Sequence, residues 1–209
     1  MKIVLLGPVG SGKGTMAHLI SEKYAIPHIS TGAIFRENIA QNTKLGKQAS
    51  KYISKGLLVP ESITNNLVKN RLAEDDCKNG FVLDGYPRNI KQAYALDAIS
   101  QVDIVLLIDV EEEIIIKRLS NRRMCLNCKQ PTALGSLVNG KCEKCGGEVY
   151  IREDDKPEVV KTRILTNAVS SELIEFYKNK GLFSKINASG TIEQNFSAVV
   201  EELNKKGLK

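Results

Sequence analysis

The stretch Gly7-Pro8-Val9-Gly10-Ser11-Gly12-Lys13-Gly14-Thr15 gathers glycines, a lysine and two hydroxyls directly after the apolar run Ile3–Leu6. Glycines lack Cβ, so such a loop can turn tightly and aim successive backbone N–H groups at one anion. Lys13 adds a mobile positive charge, and a helix beginning there would bring its positive dipole end to the same point. The spacing Gly7-x-x-x-x-Gly12-Lys13 fits the P-loop pattern, except that Gly14 stands where Ser or Thr is usual and Thr15 follows one later. The preceding strand and the amphipathic stretch after it (Met16, Ala17, Leu19, Ile20) set the loop apart from an ordinary glycine turn. Gly10, Ser11, Gly12, Lys13, Gly14 and Thr15 are therefore expected to hold a nucleotide phosphate.

Arginines are the next chemically informative residues, because their planar forks suit bidentate contact with phosphate. Arg118 and Arg122 lie four apart on a stretch read as helical, which would put them on one face. Arg152 and Arg163 follow, and Arg36 and Arg88 sit beside glycines and strand ends. Asp84 comes after the apolar segment Phe81–Leu83, at the carboxyl edge where open α/β sheets bind ligands. A carboxylate there suits Mg²⁺ held through its water shell; the plainer reading is an Asp opening a turn before Gly85.

Cys125-x-x-Cys128 and Cys142-x-x-Cys145, thirteen residues apart, form a metal signature. Four thiolates at tetrahedral corners suit structural zinc and leave no open position for chemistry. Disulfides fit poorly with a chain that has no apolar signal segment, and an iron-bound ribbon stays open. A segment of this length builds no core alone, so the metal would take that place. The ribbon contains no aromatic residue for base stacking, which favours a structural role over nucleic-acid binding.

The elements that position these groups alternate. Short apolar segments at Lys2–Leu6, Ile26–Ile29, Phe81–Leu83, Ile104–Ile108 and Phe183–Ile186 are separated by helical patterns around 14–24, 61–74, 89–99, 111–123, 157–179 and 191–205. Ile104–Ile108 is apolar on both faces, as in a central parallel strand. Alternation of this kind argues an α/β fold with a parallel sheet and right-handed crossovers. Residues 31–59 interrupt it with two short helical pieces, and 124–150 with the cysteine module. Asp155-Lys156-Pro157-Glu158 reads as a helix start with Asp155 as cap. With 209 residues, 42% hydrophobic and 26% charged, the composition is that of a soluble globular protein. No run reaches the length of a membrane span, so a cytoplasmic protein without membrane partners is expected. The net charge of +6 is mostly scattered lysine, the pattern of a solvated surface.

Taken together, these residues resemble the adenylate kinase family, in its long form with a metal-bearing lid. The matching motifs are Gly7–Thr15, Ser30-Thr31-Gly32 with Arg36, and Lys55-Gly56-Leu57-Leu58-Val59-Pro60. Leu83-Asp84-Gly85-Tyr86-Pro87-Arg88 with Gln92, Arg118 with Arg122-Arg123, both cysteine pairs, and Arg152-Glu153-Asp154-Asp155 with Arg163 complete the series in family order. The resemblance implies a P-loop nucleoside monophosphate kinase fold with a five-stranded parallel sheet. Its core would comprise residues 1–29, 60–120 and 159–209, with an AMP-binding subdomain at 30–59 and a lid at 121–158.

The same resemblance implies reversible transfer from MgATP to AMP, giving two ADP, by a protein that is monomeric. Gly10–Thr15, Arg118 and Arg122 would take ATP. Thr31, Arg36, Leu57, Leu58, Val59, Gly85, Arg88, Gln92, Arg152 and Arg163 would take AMP. The catalytic set would be Lys13, Asp84, Arg88, Arg118, Arg122, Arg152 and Arg163, with structural Zn²⁺ on the four cysteines. The pattern departs from the family at Ala33, where Asp is usual, at Asn121, where Gly is usual, and near Thr132, where an aromatic is common. The last departure predicts looser donor-base selectivity. The competing reading from another class is a P-loop ATPase whose zinc ribbon grips nucleic acid.

Overall fold

The computed structural model describes residues 1–208. Five parallel strands form the central sheet: β1 (Lys2–Leu6), β2 (His28–Ser30), β3 (Phe81–Asp84), β4 (Ile104–Asp109) and β8 (Phe183–Asn187), in the order β2-β3-β1-β4-β8. Register pairs Ile3 with both Val82 and Ile104, so β1 is central and its side chains are covered on both faces. That accounts for unbroken apolar strands: successive residues point to opposite sides, and each side has its own helical cover.

One core holds Ile3, Leu5, Leu106 and Ile108 against α1 (Lys13–Tyr24), α6 (Glu112–Asn121) and α9 (Ile192–Lys205), through Ile20, Leu119 and Val199. The other holds Val4, Leu6, Leu83 and Val105 against α4 (Glu61–Leu72), α5 (Ile90–Asp97) and α8 (Ser171–Asn179), through Val68, Leu96 and Leu173. Residues 31–53 supply α2 (Thr31–Ala40) and α3 (Lys44–Ile53), which close over a small core of Phe35, Ala49 and Val59. A separate antiparallel sheet, β6-β5-β7, is built from β5 (Arg122–Cys125), β6 (Pro131–Ala133) and β7 (Val149–Tyr150).

Four expectations need correction. The second strand lies at His28–Ser30, two residues later at its start than the apolar run suggested, because pairing with β3 begins at His28. The pattern at 111–123 stops at Asn121, and Arg122 opens β5, so Arg118 and Arg122 do not share a helix face. The pattern at 157–179 is two helices, α7 (Pro157–Thr166) and α8, broken at 167–170 where Ser170 caps α8 through the Leu173 amide. Asp155 does not cap α7: the cap is Lys156, which offers no side-chain acceptor, and the Asp155 carboxylate is drawn to arginines instead.

Candidate active site

The carboxyl ends of β1, β2 and β3 deliver three loops to one place. After β1, Gly7 adopts φ 147°, and a Cβ there would lie 2.5 Å from the Ile108 carbonyl, so only glycine lets the loop pass β4. Gly12 precedes α1 at φ 97° and gives that helix no side-chain cap. The first amides of α1 are thereby left for an anion, where α2, α3, α5, α8 and α9 each receive a Ser, Thr or Asn oxygen. Gly14 lies inside α1 at an ordinary helical φ, and a Cβ there would stand 3.7 Å from Asp84 Oδ2. Lys13 Nζ donates to the carbonyls of Gly7 and Pro8, both at 2.7 Å. Burial pulls its pKa down to about 7, with nearby Arg88 and Arg122 also opposing the charge and Asp84 supporting it. Ser11 is buried within the loop, and Arg118 braces it from outside by donating to the Ser11 and Ala188 carbonyls at 3.1 and 2.8 Å.

Asp84 ends β3 facing this loop. Burial by itself would raise its pKa, but the His28 imidazole and the charges of Lys13 and Arg88 outweigh that and hold it at about 2. His28 Nε2 stands 3.8 Å from Asp84 Oδ2, beyond hydrogen-bond length, while Ser30 Oγ donates to the same oxygen at 3.3 Å. An ionised carboxylate beside a phosphate loop fits hydrated Mg²⁺. Ala33 brings no second carboxylate from α2.

Beyond the P-loop, and sharing Gly85, Arg88 and Asn167 with the small cavity beside Gly7 and Lys13, lies an open cleft. Thr31, Arg36, Leu57, Leu58, Val59, Gly85, Arg88, Gln92 and Arg163 line it, nine of the ten residues expected at an acceptor site. Arg152 is the tenth and does not line it; it is buried next to Asp154. The lining is held by a tight local network. Thr31 Oγ1 donates to Gly85 O at 3.1 Å, Arg88 Nε to the same carbonyl at 2.8 Å, and the Arg88 amide to Gln92 Oε1 at 2.7 Å.

Asp154 and Asp155, buried in a short 3₁₀ turn, gather the remaining arginines. Arg122 makes a two-pronged contact with Asp155, its Nε at 2.7 Å. Arg152 does the same to Asp154, its Nε at 2.8 Å, and Arg163 reaches Asp155 at 2.7 Å and Asp154 at 3.1 Å. Arg163 is pushed down to about 10 and Arg36 to about 9, by burial first and then by neighbouring arginines, against the pull of Asp154. Two carboxylates thus serve three guanidinium groups, with Arg36, Arg88 and Lys13 close by. So many buried cations crowded together need anions.

The cysteines also converge. The Sγ atoms of Cys125, Cys128, Cys142 and Cys145 lie within 4.8 Å of one another, with Cys125–Cys145 at 3.4 Å and Cys128–Cys142 at 3.9 Å. Tetrahedral zinc with Zn–S bonds of ~2.3 Å sets sulfurs ~3.8 Å apart, so the four thiols fit such an ion. They clip the small sheet, as Gly146 at φ 69° turns the second pair. Cys77 is apart from them: it is buried against Arg71, and burial raises its thiol to about 11.

Three groups went unread in the sequence. His28 and Asn167 carry no local motif, since their partners Asp84 and Arg88 are far along the chain. Asp154 and Asp155 were visible, but their crossing to Arg122 was not; Arg152 close before them was the available signal.

An open phosphate loop opposite a second, arginine-lined cleft on a five-stranded parallel sheet defines a phosphotransferase of the nucleoside monophosphate kinase class. A sequence model of the family described as adenylate kinase matches residues 5–182. The adenylate kinase of Clostridium beijerinckii is 49% identical over 97% of this chain and 98% of its own length. Those of Clostridium botulinum (strain Alaska E43 / Type E3) and Agathobacter rectalis are 48% and 46% identical, covering 97% and 96% of this chain and 99% and 98% of their own. This chain belongs to the adenylate kinase family. That membership disfavours the nucleic-acid ATPase reading.

Proposed function

We propose that this chain transfers the terminal phosphoryl group of MgATP to AMP, reversibly, giving two ADP. The observation that carries the reading is the second cleft, lined by Arg36 and Arg88, with Arg88 also lining the small cavity beside Gly7 and Lys13. The acceptor is a phosphate oxygen, already anionic, so no general base is required. Catalysis then rests on alignment and on positive charge placed where charge develops.

Gly10–Thr15 with the uncapped start of α1 hold the donor phosphates. Lys13 swings from its carbonyl contacts toward them, and Arg118 keeps the loop in shape. Arg88 and Arg36 hold the acceptor phosphate, with Thr31, Leu57–Val59, Gly85 and Gln92 around the rest of AMP. Arg122 and Arg152, from residues 121–158, and Arg163 on α7 close over the transferring group, and closure keeps water from competing as acceptor. Asp84 would hold the water shell of Mg²⁺, which when bound supplies charge neutralisation between the donor phosphates. Zn²⁺ on Cys125, Cys128, Cys142 and Cys145 has a structural role.

No helix among the described residues is long and apolar enough to cross a membrane. Five free thiols suit a reducing, cytoplasmic setting, and we take the protein to act as a monomer without nucleic acid. A coupled assay with ATP alone and then with ATP plus AMP tests the activity. ADP should form only when AMP is present; hydrolysis indifferent to AMP would overturn the reading.

A further inference from the structure

Asn167 sits in the break between α7 and α8, outside every motif above, yet it lines both the acceptor cleft and the small cavity beneath the P-loop. Its Oδ1 accepts from Arg88 Nη1 at 2.9 Å. Its Nδ2 points the other way, to Thr166 Oγ1 at 3.0 Å and Gly56 O at 3.4 Å. A guanidinium on one side and a carbonyl on the other fix the sense of the amide, and only a group with both an acceptor and a donor answers both. Aspartate would lose the donor, and an aliphatic residue would lose both.

The charge state of that acceptor matters more than its shape. Arg122, Arg152 and Arg163 are oriented by carboxylates, which fix a guanidinium but also neutralise it. Arg88 is oriented by two neutral oxygens, Gly85 O on Nε and Asn167 Oδ1 on Nη1. Two contacts at separate nitrogens set the plane of the fork. The Nη2 protons and one Nη1 proton stay free, and no carboxylate is bonded to the fork, Asp84 acting only at longer range, so the guanidinium stays open to an incoming anion.

We infer that Asn167 is a positioning residue for the acceptor, fixing the plane of Arg88 through an uncharged oxygen so that the guanidinium meets the AMP phosphate aligned and unneutralised. This rests on the proposed ATP-to-AMP transfer. A carboxylate at the same place would act as a built-in competitor for the phosphate. Asn167 also ties Arg88 to the Gly56 turn, whose absent side chain lets α7 approach: a Cβ there would lie 2.9 Å from Arg163 Cγ. Thr166 Oγ1, which accepts from Asn167 Nδ2, also lies 3.0 Å from Gly56 O and 2.8 Å from Thr162 O.

Three variants of the full chain, Asn167→Asp, Asn167→Ala and Thr166→Val, separate these roles. AMP binding is read by calorimetry, KM by steady-state assay, and folding by thermal melts. Asn167→Asp, nearly isosteric, should weaken AMP binding and raise its KM on the order of tenfold, with the KM for ATP and the melting point little changed. Asn167→Ala should raise the KM for AMP less, because it frees Arg88 without opposing its charge. Thr166→Val should leave AMP affinity as it was. The inference fails if Asn167→Asp binds AMP as tightly as the wild type, if it is no worse than Asn167→Ala, or if both substrates weaken alike. It fails too if Thr166→Val reproduces the defect, since the effect would then run through Gly56. A wild-type protein that neither binds nor phosphorylates AMP would remove the functional reading itself. A wild type that does, beside an unimpaired Asn167→Asp, removes only this inference.

Discussion

Two sets of arginines lie close together in this molecule and are held in opposite ways. Arg122, Arg152 and Arg163 are locked to Asp154 and Asp155, beside the small sheet on which four cysteines converge. On the acceptor side, Arg88 is set by the neutral oxygens of Gly85 and Asn167, and Arg36 has no carboxylate within ion-pair distance among the described residues. The lid arginines carry their own counter-charge, so they can be buried before substrate arrives. The acceptor arginines have Asp84 and Asp154 nearby but no carboxylate in direct contact, and burial depresses both. The difference separates two tasks: holding the cysteine-clipped segment together, and waiting for an anion.

Metal removal should break the comparison most completely. The lid sheet has no apolar core of its own, so chelation should unfold residues 122–150, while the three apolar cores remain. We expect stripped protein to lose turnover almost entirely yet still bind AMP at Arg36 and Arg88. Amide exchange and calorimetry check this; loss of both the central sheet and AMP binding would show that the two regions are not separate.

Asp155→Ala should come next. It leaves the half-buried Arg122 and Arg163 without their shared, buried partner, and breaking a buried pair costs up to about 3–5 kcal/mol. Urea unfolding should report that loss in full. The Arg88→Ala protein should show the reverse profile, a stability near wild type and a turnover lower by about 10²–10³-fold, since removing a preorganised donor acts on the transition state.

How much of this contrast could be read from the chain depends on the range of the contacts. The P-loop, Asp84 and the cysteine pairs were legible because each is a local pattern whose chemistry fits within a dozen or so residues. The apolar strands β1 and β4 were legible because a parallel strand covered on both faces has no alternation to conceal it. Arg122 was misplaced on a helix because α6 runs up to Asn121 without a breaker, and only pairing with Thr132–Ala133 and Val149–Tyr150 draws the chain into a sheet. Asp155 read as a cap because its local sequence suits one, until Arg122, 33 residues earlier, and Arg163 compete for it. Asn167 could not be found at all, since its partner is 79 residues away. Asn121 departs from the family glycine without strain: it lies at ordinary helical φ and donates to Lys117 O at 3.0 Å.

A smaller effect separates Asp84 from the lid carboxylates. Its folded pKa lies below the unfolded value, so its contribution is present above about pH 4 and is lost as pH falls toward about 2. Replacing it with asparagine removes that dependence. The stability difference between wild type and Asp84→Asn should shrink by on the order of 2 kcal/mol between pH 5 and pH 2, as measured by urea titration. A constant difference would mean that His28, Lys13 and Arg88 do not favour the ionised carboxylate.

The mildest expectation concerns the donor base. Thr132 takes the lid position where the family commonly has an aromatic, and here its hydroxyl donates to Glu143 Oε1 at 3.2 Å, within the lid itself. A side chain spent on internal bonding offers no ring for a purine to stack on. A donor held chiefly by its phosphates is chosen less by its base, because the charge contacts are the same for every triphosphate. Equal concentrations of ATP, GTP, CTP and UTP, each with AMP, should give rates within about tenfold of one another. Strict preference for ATP would place base recognition elsewhere, and would remove this contrast between a permissive donor side and an acceptor side aligned by Arg88.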